Sequence, residues 1–223
     1  MESYYAERLS AERLRRCYEI APPRVQQYLA AEVAHVASRI RPADRVLELG
    51  CGYGRVLEQL APRAGTLIGI DTSPDSLRLA RELLGPRPNC CVLQMNAVAL
   101  GFQDAAFDVV LCLQNGISAF KVEPHALIAE CLRVTRPGGR VLFSSYAAAF
   151  WPHRLEWFRL QSAHGLLGEI DWQATRAGQI VCRDGFRATT VSPDDFRALT
   201  AALGVSARLE EVDESSLFCE LIV

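Results

Sequence analysis

Three glycines alternate at Gly50, Gly52 and Gly54, directly after the apolar run Val46-Leu47-Glu48-Leu49, and an apolar helical pattern resumes at Val56 and Leu57. The run reads as a buried strand. Alternating glycines at its end permit positive φ angles and let a ligand approach bare backbone. The helix that follows points its first N–H groups at whatever the loop holds. That combination suits a nucleotide-like ligand. A second apolar run, Thr66 to Asp71, ends in a carboxylate 21 positions after Gly50. A carboxylate offers several acceptor sites and suits the hydroxyls of a ribose at that spacing. Asn96 and the pair Gln114-Asn115 fall at the ends of two further strand-like runs.

The elements that must position these residues alternate. Residues 4–20 carry an amphipathic helical stripe through Tyr5, Leu9, Leu14 and Cys17 or Tyr18, and a second stripe runs from Val25 to Ile40 until Arg41-Pro42 stops it. Strands are expected at Val46–Leu49, Thr66–Asp71, Cys90–Gln94, Phe107–Leu113 and Arg140–Tyr146. Helices lie between them at about 55–60, from the Ser73-Pro74 cap onward, and at 124–134. Arg136-Pro137-Gly138-Gly139 reads as a turn. Five alternations of strand and helix favour a parallel sheet covered by helices on both faces. The chain then departs from that rhythm. Arg183-Asp184-Gly185 joins two short strands as a hairpin, Ser192-Pro193 caps a further helix, and Val205–Val212 and Leu217–Val223 read as a terminal strand pair.

At 223 residues, with half of them hydrophobic and 22% charged, the composition is that of one globular domain with a substantial core. A net charge of −2 without basic runs weighs against nucleic-acid and membrane-surface binding, both of which need a positive footprint. Of the 24 basic residues only Lys121 is a lysine. The first residues lead into a charged stretch without an apolar signal segment, no run approaches a membrane span, and a cytoplasmic location is expected. The eight cysteines have no CxxC spacing, and Cys90, Cys91, Cys112, Cys182 and Cys219 sit in apolar strand-like runs. They are expected to be buried free thiols, with no metal site.

Glu48-Leu49-Gly50-Cys51-Gly52-Tyr53-Gly54 resembles the E/D-x-G-x-G-x-G signature of class I S-adenosylmethionine-dependent methyltransferases. Gly69-Ile70-Asp71-Thr72-Ser73 is similar to their second motif, and Asn96-Ala97 with the run from Leu100 to Asp108 to the third region. Leu132 to Val141 is close to the R-x-L-x-P-G-G post-motif. The resemblance spans about 45–146. It implies a Rossmann-like, doubly wound, seven-stranded sheet, mostly parallel with an antiparallel C-terminal strand pair. It also implies S-adenosyl-L-methionine as cofactor and S-adenosyl-L-homocysteine as product, held by Glu48, Gly50, Cys51, Gly52, Gly54, Asp71, Thr72, Asn96, Ala97 and Gln114. Asn96 stands where the family usually has an aspartate facing the adenine amino group. A nicotinamide dehydrogenase of the same architecture would use G-x-G-x-x-G and a second mononucleotide half, where this chain ends in antiparallel strands. A protein that binds the cofactor without catalysis is the rival of another class.

On this reading the chain divides into an N-terminal helical lid (1–41), a cofactor-binding core (42–146), an inserted substrate lid with its hairpin (147–190) and a C-terminal helix with antiparallel strands (191–223). Methyl transfer from a sulfonium chiefly requires alignment of the nucleophile and exclusion of water, with a base where a proton must be lost. His153, His164 and Tyr146 are the candidate bases. The insertion holds every tryptophan, Trp151, Trp157 and Trp172, together with Phe158. These aromatics either wall an acceptor pocket or cement a subdomain core. Tyr5, Asn115, Trp151 and Trp157 are the candidate acceptor contacts, and Tyr4, Tyr5 and Tyr18 either close over the cofactor or serve ordinary helix packing. The acceptor expected is the nitrogen or oxygen of a small molecule, with protein or RNA as the alternative class and a monomer or homodimer as the assembly.

Overall fold

The computed structural model describes residues 4 and 8–223. Among the described residues nine strands form: β1 (Arg45–Leu49), β2 (Thr66–Asp71), β3 (Cys90–Gln94), β4 (Phe107–Cys112), β5 (Thr135–Tyr146), β6 (Gln179–Val181), β7 (Arg187–Thr189), β8 (Ala207–Val212) and β9 (Ser216–Ile222). Seven of them make one sheet in the order β3-β2-β1-β4-β5-β9-β8, and β6 and β7 pair separately as the hairpin. The first five strands of the sheet are parallel, while β9 runs antiparallel between β5 and β8. The chain moves outward from β1 through β2 to β3, then returns to place β4 on the other side of β1. The carboxyl ends of β1 and β4 therefore face a crevice at the switch in strand order, where such sheets bind ligands.

The helices are α1 (Ala11–Glu19), α2 (Pro23–Ala37), α3 (Arg55–Leu60), α4 (Pro74–Leu84), α5 (Gly116–Ala119), α6 (Pro124–Val134), α7 (Trp151–Ala163) and α8 (Pro193–Ala202). Their starts follow local chemistry. Ser73 Oγ accepts from the Ser76 N–H, and Ser192 with Asp195 forms a reciprocal capping box, each with a proline in the first turn. Side chains alternate across each strand, so the sheet has two cores. Val46, Leu67, Val109 and Leu142 pack under α2, α3 and α4. Leu47, Leu49, Val110 and Val141 pack against Leu127, Ile128 and Cys131 of α6 and Phe196 of α8. A third apolar cluster joins α1 and α2 to α7 and the hairpin through Cys17, Tyr28, Tyr146, Phe150, Trp157, Phe158 and Phe186.

Two expectations change. Arg136–Gly139, read as a turn, is an irregular stretch inside β5. Phe107 pairs with Thr135 and Val109 already with Arg140, so four residues bulge out of the ladder. The bulge is anchored by the Arg136–Asp108 ion pair and by the Gly138 N–H donating to the Val223 carbonyl. Cys90 and Cys91 lie on β3, half-buried and exposed respectively, because that edge strand has a neighbour on one side only, whereas Cys112, Cys131 and Cys219 are buried. Among the described residues, no helix is long and apolar enough to cross a membrane.

Candidate active site

A cavity of about 550 Å³ opens at the carboxyl ends of β1, β2 and β4, within the range of small-molecule and cofactor sites. Its floor is the glycine loop. Gly50 and Gly52 have φ of +70° and +53°, and a Cβ at Gly50 would stand 2.5 Å from the Phe120 ring, so side chains are excluded both by backbone conformation and by space. Asp71 fixes this loop: its Oδ2 accepts from the Gly52 N–H at 2.9 Å and its Oδ1 from the Ser73 N–H at 2.8 Å. Burial raises the Asp71 carboxyl pKa, against these backbone hydrogen bonds that lower it. Lone pairs remain on both oxygens for further donors.

Glu48 lies two residues before Gly50, on the face of β1 shared with Val46. It is buried, lines the cavity, and its Oε2 has no hydrogen-bond partner among the described residues. Burial pushes its carboxyl up to about 8, with the Arg55 guanidinium opposing and the Asp71 and Glu32 carboxylates adding to the rise. A carboxyl without a partner at the wall of a cavity is suited to a cationic or donor group arriving there.

The loop after β4 forms the next wall. The backbone N–H of Gln114 donates to Ser144 Oγ at 2.8 Å, the Ser144 hydroxyl donates to Glu32 Oε1 at 2.5 Å, and the Tyr18 hydroxyl donates to Gln114 Oε1. Glu32, fully buried on α2, thus holds the loop through β5, and α1 holds it through Tyr18. Thr72, Asn96 and Ala97 line the cavity on the β2 side, with Asn96 Oδ1 accepting from the Val98 N–H at 3.1 Å.

The opposite wall comes from residues far away in sequence: Leu9, Leu14, Cys17 and Tyr18 on the N-terminal side, Tyr146 at the end of β5, and Trp157, Phe158 and Gln161 on α7. Trp157 Nε1 donates to the Cys17 carbonyl at 2.8 Å, which clamps α7 to α1. The Arg154 guanidinium, fully buried, lies 4.3 Å from the Tyr146 ring centre. Burial raises the Tyr146 hydroxyl pKa, and Arg154 opposes that rise. The rim carries Phe120, Lys121 and Val122.

Several sequence candidates lie elsewhere. Cys51 and Gly54 are behind the loop. The Cys51 side chain packs on Gly69, and a Cβ at Gly54 would lie 3.2 Å from the Ala80 Cβ, so both serve the packing of helices on the sheet. Asn115 is buried and points away from the cavity. Its Nδ2 donates to the Thr189 carbonyl at 2.7 Å and its Oδ1 accepts from Ser145 Oγ at 2.9 Å, tying the hairpin to the sheet. His164 is exposed at the end of α7, its Nδ1 against the Leu160 carbonyl. His153 packs on Phe150, and Trp151 lies half-buried near Arg154; neither lines the cavity. Trp172 is 58% exposed. Tyr5 lies outside the described residues. The insertion therefore divides its aromatics, with Trp157 and Phe158 serving both cavity wall and subdomain core. Gln161, Phe120, Lys121 and Ser76 had no local signal, since only the tertiary fold brings them to this crevice.

A seven-stranded sheet with a reversed last strand, a glycine loop after β1 and an acid ending β2 make up a Rossmann-like methyltransferase fold. Residues 46–139 match the family model described as a methyltransferase domain. The chain is 33% identical over 106 residues to the ubiquinone biosynthesis O-methyltransferase of Idiomarina loihiensis, and 36% identical over 103 residues to that of Pseudomonas fluorescens. These alignments cover 45% of this chain and 42% and 44% of the relatives, so the chain spans less than half the length of the curated relatives it matches. Among solved structures, the DhpI-SAM-HEP complex is similar at a TM-score of 0.64 and 22% identity, covering 99% of this chain and 94% of that one. A SAM-dependent methyltransferase from Aquifex aeolicus is similar at 0.64 and 14% identity, covering 94% and 98%. At these identities the structural likenesses carry the fold.

Proposed function

We propose that this protein transfers a methyl group from S-adenosyl-L-methionine to a nitrogen or oxygen atom of a small molecule. The observation that carries the reading is the cavity floor: a glycine loop with no room for side chains, locked by Asp71, beside the unpartnered carboxyl of Glu48. The donor set fits the cofactor. Asp71 and Thr72 suit the ribose, Gly50 and Gly52 present bare backbone, Asn96 and Ala97 suit the adenine end, and Glu48 and Gln114 suit the amino acid end. Bound cofactor supplies an electrophilic methyl carbon with a neutral thioether as leaving group.

The chain's own residues then have three tasks. Tyr18, Tyr146, Trp157 and Phe158 exclude water and confine the acceptor. Gln161, buried at the same wall, offers an amide to orient it. No imidazole lines the cavity among the described residues, burial pushes the Cys17 thiol up to about 12, and it raises the Tyr146 hydroxyl as well. This supports an acceptor that presents its own lone pair, such as an amine or an acidic hydroxyl, over an aliphatic alcohol that needs a base. The enclosed aromatic wall favours a small molecule over a protein or RNA segment. The ubiquinone-pathway O-methyltransferase names of the partial relatives support the oxygen branch.

Titration calorimetry with S-adenosylmethionine, S-adenosylhomocysteine and NAD tests the cofactor, and transfer of labelled methyl to a panel of amines and phenols tests the reaction. Binding of both sulfur ligands and not NAD is expected. Binding of NAD alone refutes the reading.

A further inference from the structure

The cavity rim carries the chain's only lysine, Lys121, in an unusual setting. It follows α5 directly, has φ of +56°, lines the cavity and is exposed to solvent. A non-glycine residue held in the left-handed region is a strained choice that the surroundings must enforce. Lys121 forms no ion pair and no side-chain hydrogen bond with a described residue.

A second cation, Arg187, lies on the strand that packs against α5. Strand β7 is pinned to α5 by the Asn115 Nδ2 bond to the Thr189 carbonyl and by the 2.6 Å contact between Ser118 Oγ and Thr189 Oγ1. Arg187 lies two residues before Thr189 and so shares the face of the strand that meets α5. Arg187 is exposed and likewise has no ion pair with a described residue, in contrast to Arg133 and Arg136. Partial burial, and then the Arg187 guanidinium, hold the Lys121 ammonium below the ordinary lysine range. Among the described residues, the carboxylates lining the cavity are Glu48 and Asp71, both on the floor with the glycine loop. Among the described residues, Lys121 at the rim thus faces no lining carboxylate of its own, above a chamber whose far wall is aromatic.

We infer that the methyl acceptor is an amphipathic anion, with an aromatic or other apolar body against Tyr146, Trp157 and Phe158 and a carboxylate or phosphate group between Lys121 and Arg187. This rests on the cofactor reading above, because the glycine floor must hold the cofactor for the aromatic wall to hold the acceptor. Lysine provides a point charge with three donors and arginine a planar fork, and either carboxylate or phosphate satisfies the pair.

The test uses the full chain saturated with S-adenosylhomocysteine, whose own binding is measured first. The probes are 3-phenylpropionate, 3-phenylpropionamide and phenyl phosphate, titrated at low and high salt. At least one anion is expected to bind about tenfold more tightly than the amide, the ordinary scale of a charge-assisted hydrogen bond. The preferred anion distinguishes carboxylate from phosphate, and the advantage shrinks as salt rises. Lys121→Gln is expected to remove the advantage about tenfold while leaving affinity for the amide and for S-adenosylhomocysteine unchanged, and Lys121→Arg to restore it. Equal binding of acid and amide, no anion binding to the loaded protein, or an undiminished preference in Lys121→Gln overturns the inference. Failure of S-adenosylhomocysteine to bind overturns the cofactor reading instead, and the two failures are separately visible.

Discussion

Replacing Glu48 with glutamine keeps the side chain's shape and removes its ability to ionise. Burial raises the pKa of this carboxyl to about 8, from 4.5 for an ordinary glutamate, with the Asp71 and Glu32 carboxylates adding to the rise and Arg55 opposing it. Between those two values the folded protein holds a proton that the unfolded chain has released. The stability this contributes is fully present below pH 4.5 and is lost as the pH rises through about 8. At about 1.4 kcal/mol for each pH unit of separation, the ligand-free protein should lose on the order of 4 kcal/mol through this one group between about pH 5 and pH 9. Urea unfolding across that range, followed by far-UV circular dichroism, reads the effect directly. The Glu48→Gln curve should be flatter than wild type by that amount and should lie above it in alkali. A ligand whose ammonium faces Glu48 favours the ionised form, so S-adenosylmethionine binding at pH 7 should release about one proton. Calorimetry in buffers of different ionisation enthalpy detects that release, which Glu48→Gln should abolish. Parallel stability curves for the two proteins, together with equal proton release, would refute the assignment of a neutral, ligand-facing carboxyl to this position.

Other outcomes follow from the same geometry. Asp71→Ala removes the acceptor of the Gly52 and Ser73 N–H groups and should cost roughly 1–3 kcal/mol of stability, with cofactor affinity in calorimetry lost beyond detection and the helical spectrum retained. Gly52→Val, at φ +53° and with a Cβ 3.0 Å from Leu14, should abolish cofactor binding with the fold intact, and unchanged affinity would contradict the site. Asn115→Ala breaks two side-chain bonds of a buried residue and should lower stability by roughly 2–3 kcal/mol, with cofactor affinity close to wild type because Asn115 does not line the cavity. His164→Ala and His153→Ala should leave methyl transfer within about twofold of wild type. A large loss in either would place an imidazole at the chemistry after all.

What could be read in the sequence is what local backbone chemistry decides. The glycine loop, the acid at Asp71, and the Ser73-Pro74 and Ser192-Pro193 caps all declare themselves within a few residues, because positive φ angles and helix-end donors accept few alternatives. The alternation that set the sheet is equally local. Asn115 misleads for a physical reason. A polar residue at a strand's carboxyl end looks like a ligand contact, and only the approach of β7 shows that its amide is spent on Thr189 and Ser145. Glu32 and Arg154 sit in apolar stripes where nothing nearby in sequence explains a buried charge. Their partners, Ser144 and the Tyr146 ring, are 112 and 8 residues away. The acceptor wall was legible only in part, since Trp157 drew notice as an aromatic while Gln161, one turn further along α7, did not.

Helix α1 is joined to the body of the protein by the apolar packing of Cys17 and Tyr18 and by a set of hydrogen bonds. The Ala11 N–H donates to Ser76 Oγ, Arg13 donates to the Gly165 and Leu166 carbonyls, Trp157 reaches the Cys17 carbonyl, and Tyr18 reaches Gln114. None of these is a sheet ladder, and the sheet therefore survives intact if they all part at once. Since α1 supplies Leu14, Cys17 and Tyr18 to the cavity wall, the helix that completes the chamber is one whose departure breaks no strand pairing. Under the proposed function, product residence time and the amide exchange of residues 11–19 are expected to follow one local opening of α1, so that a variant that lengthens the first should slow the second.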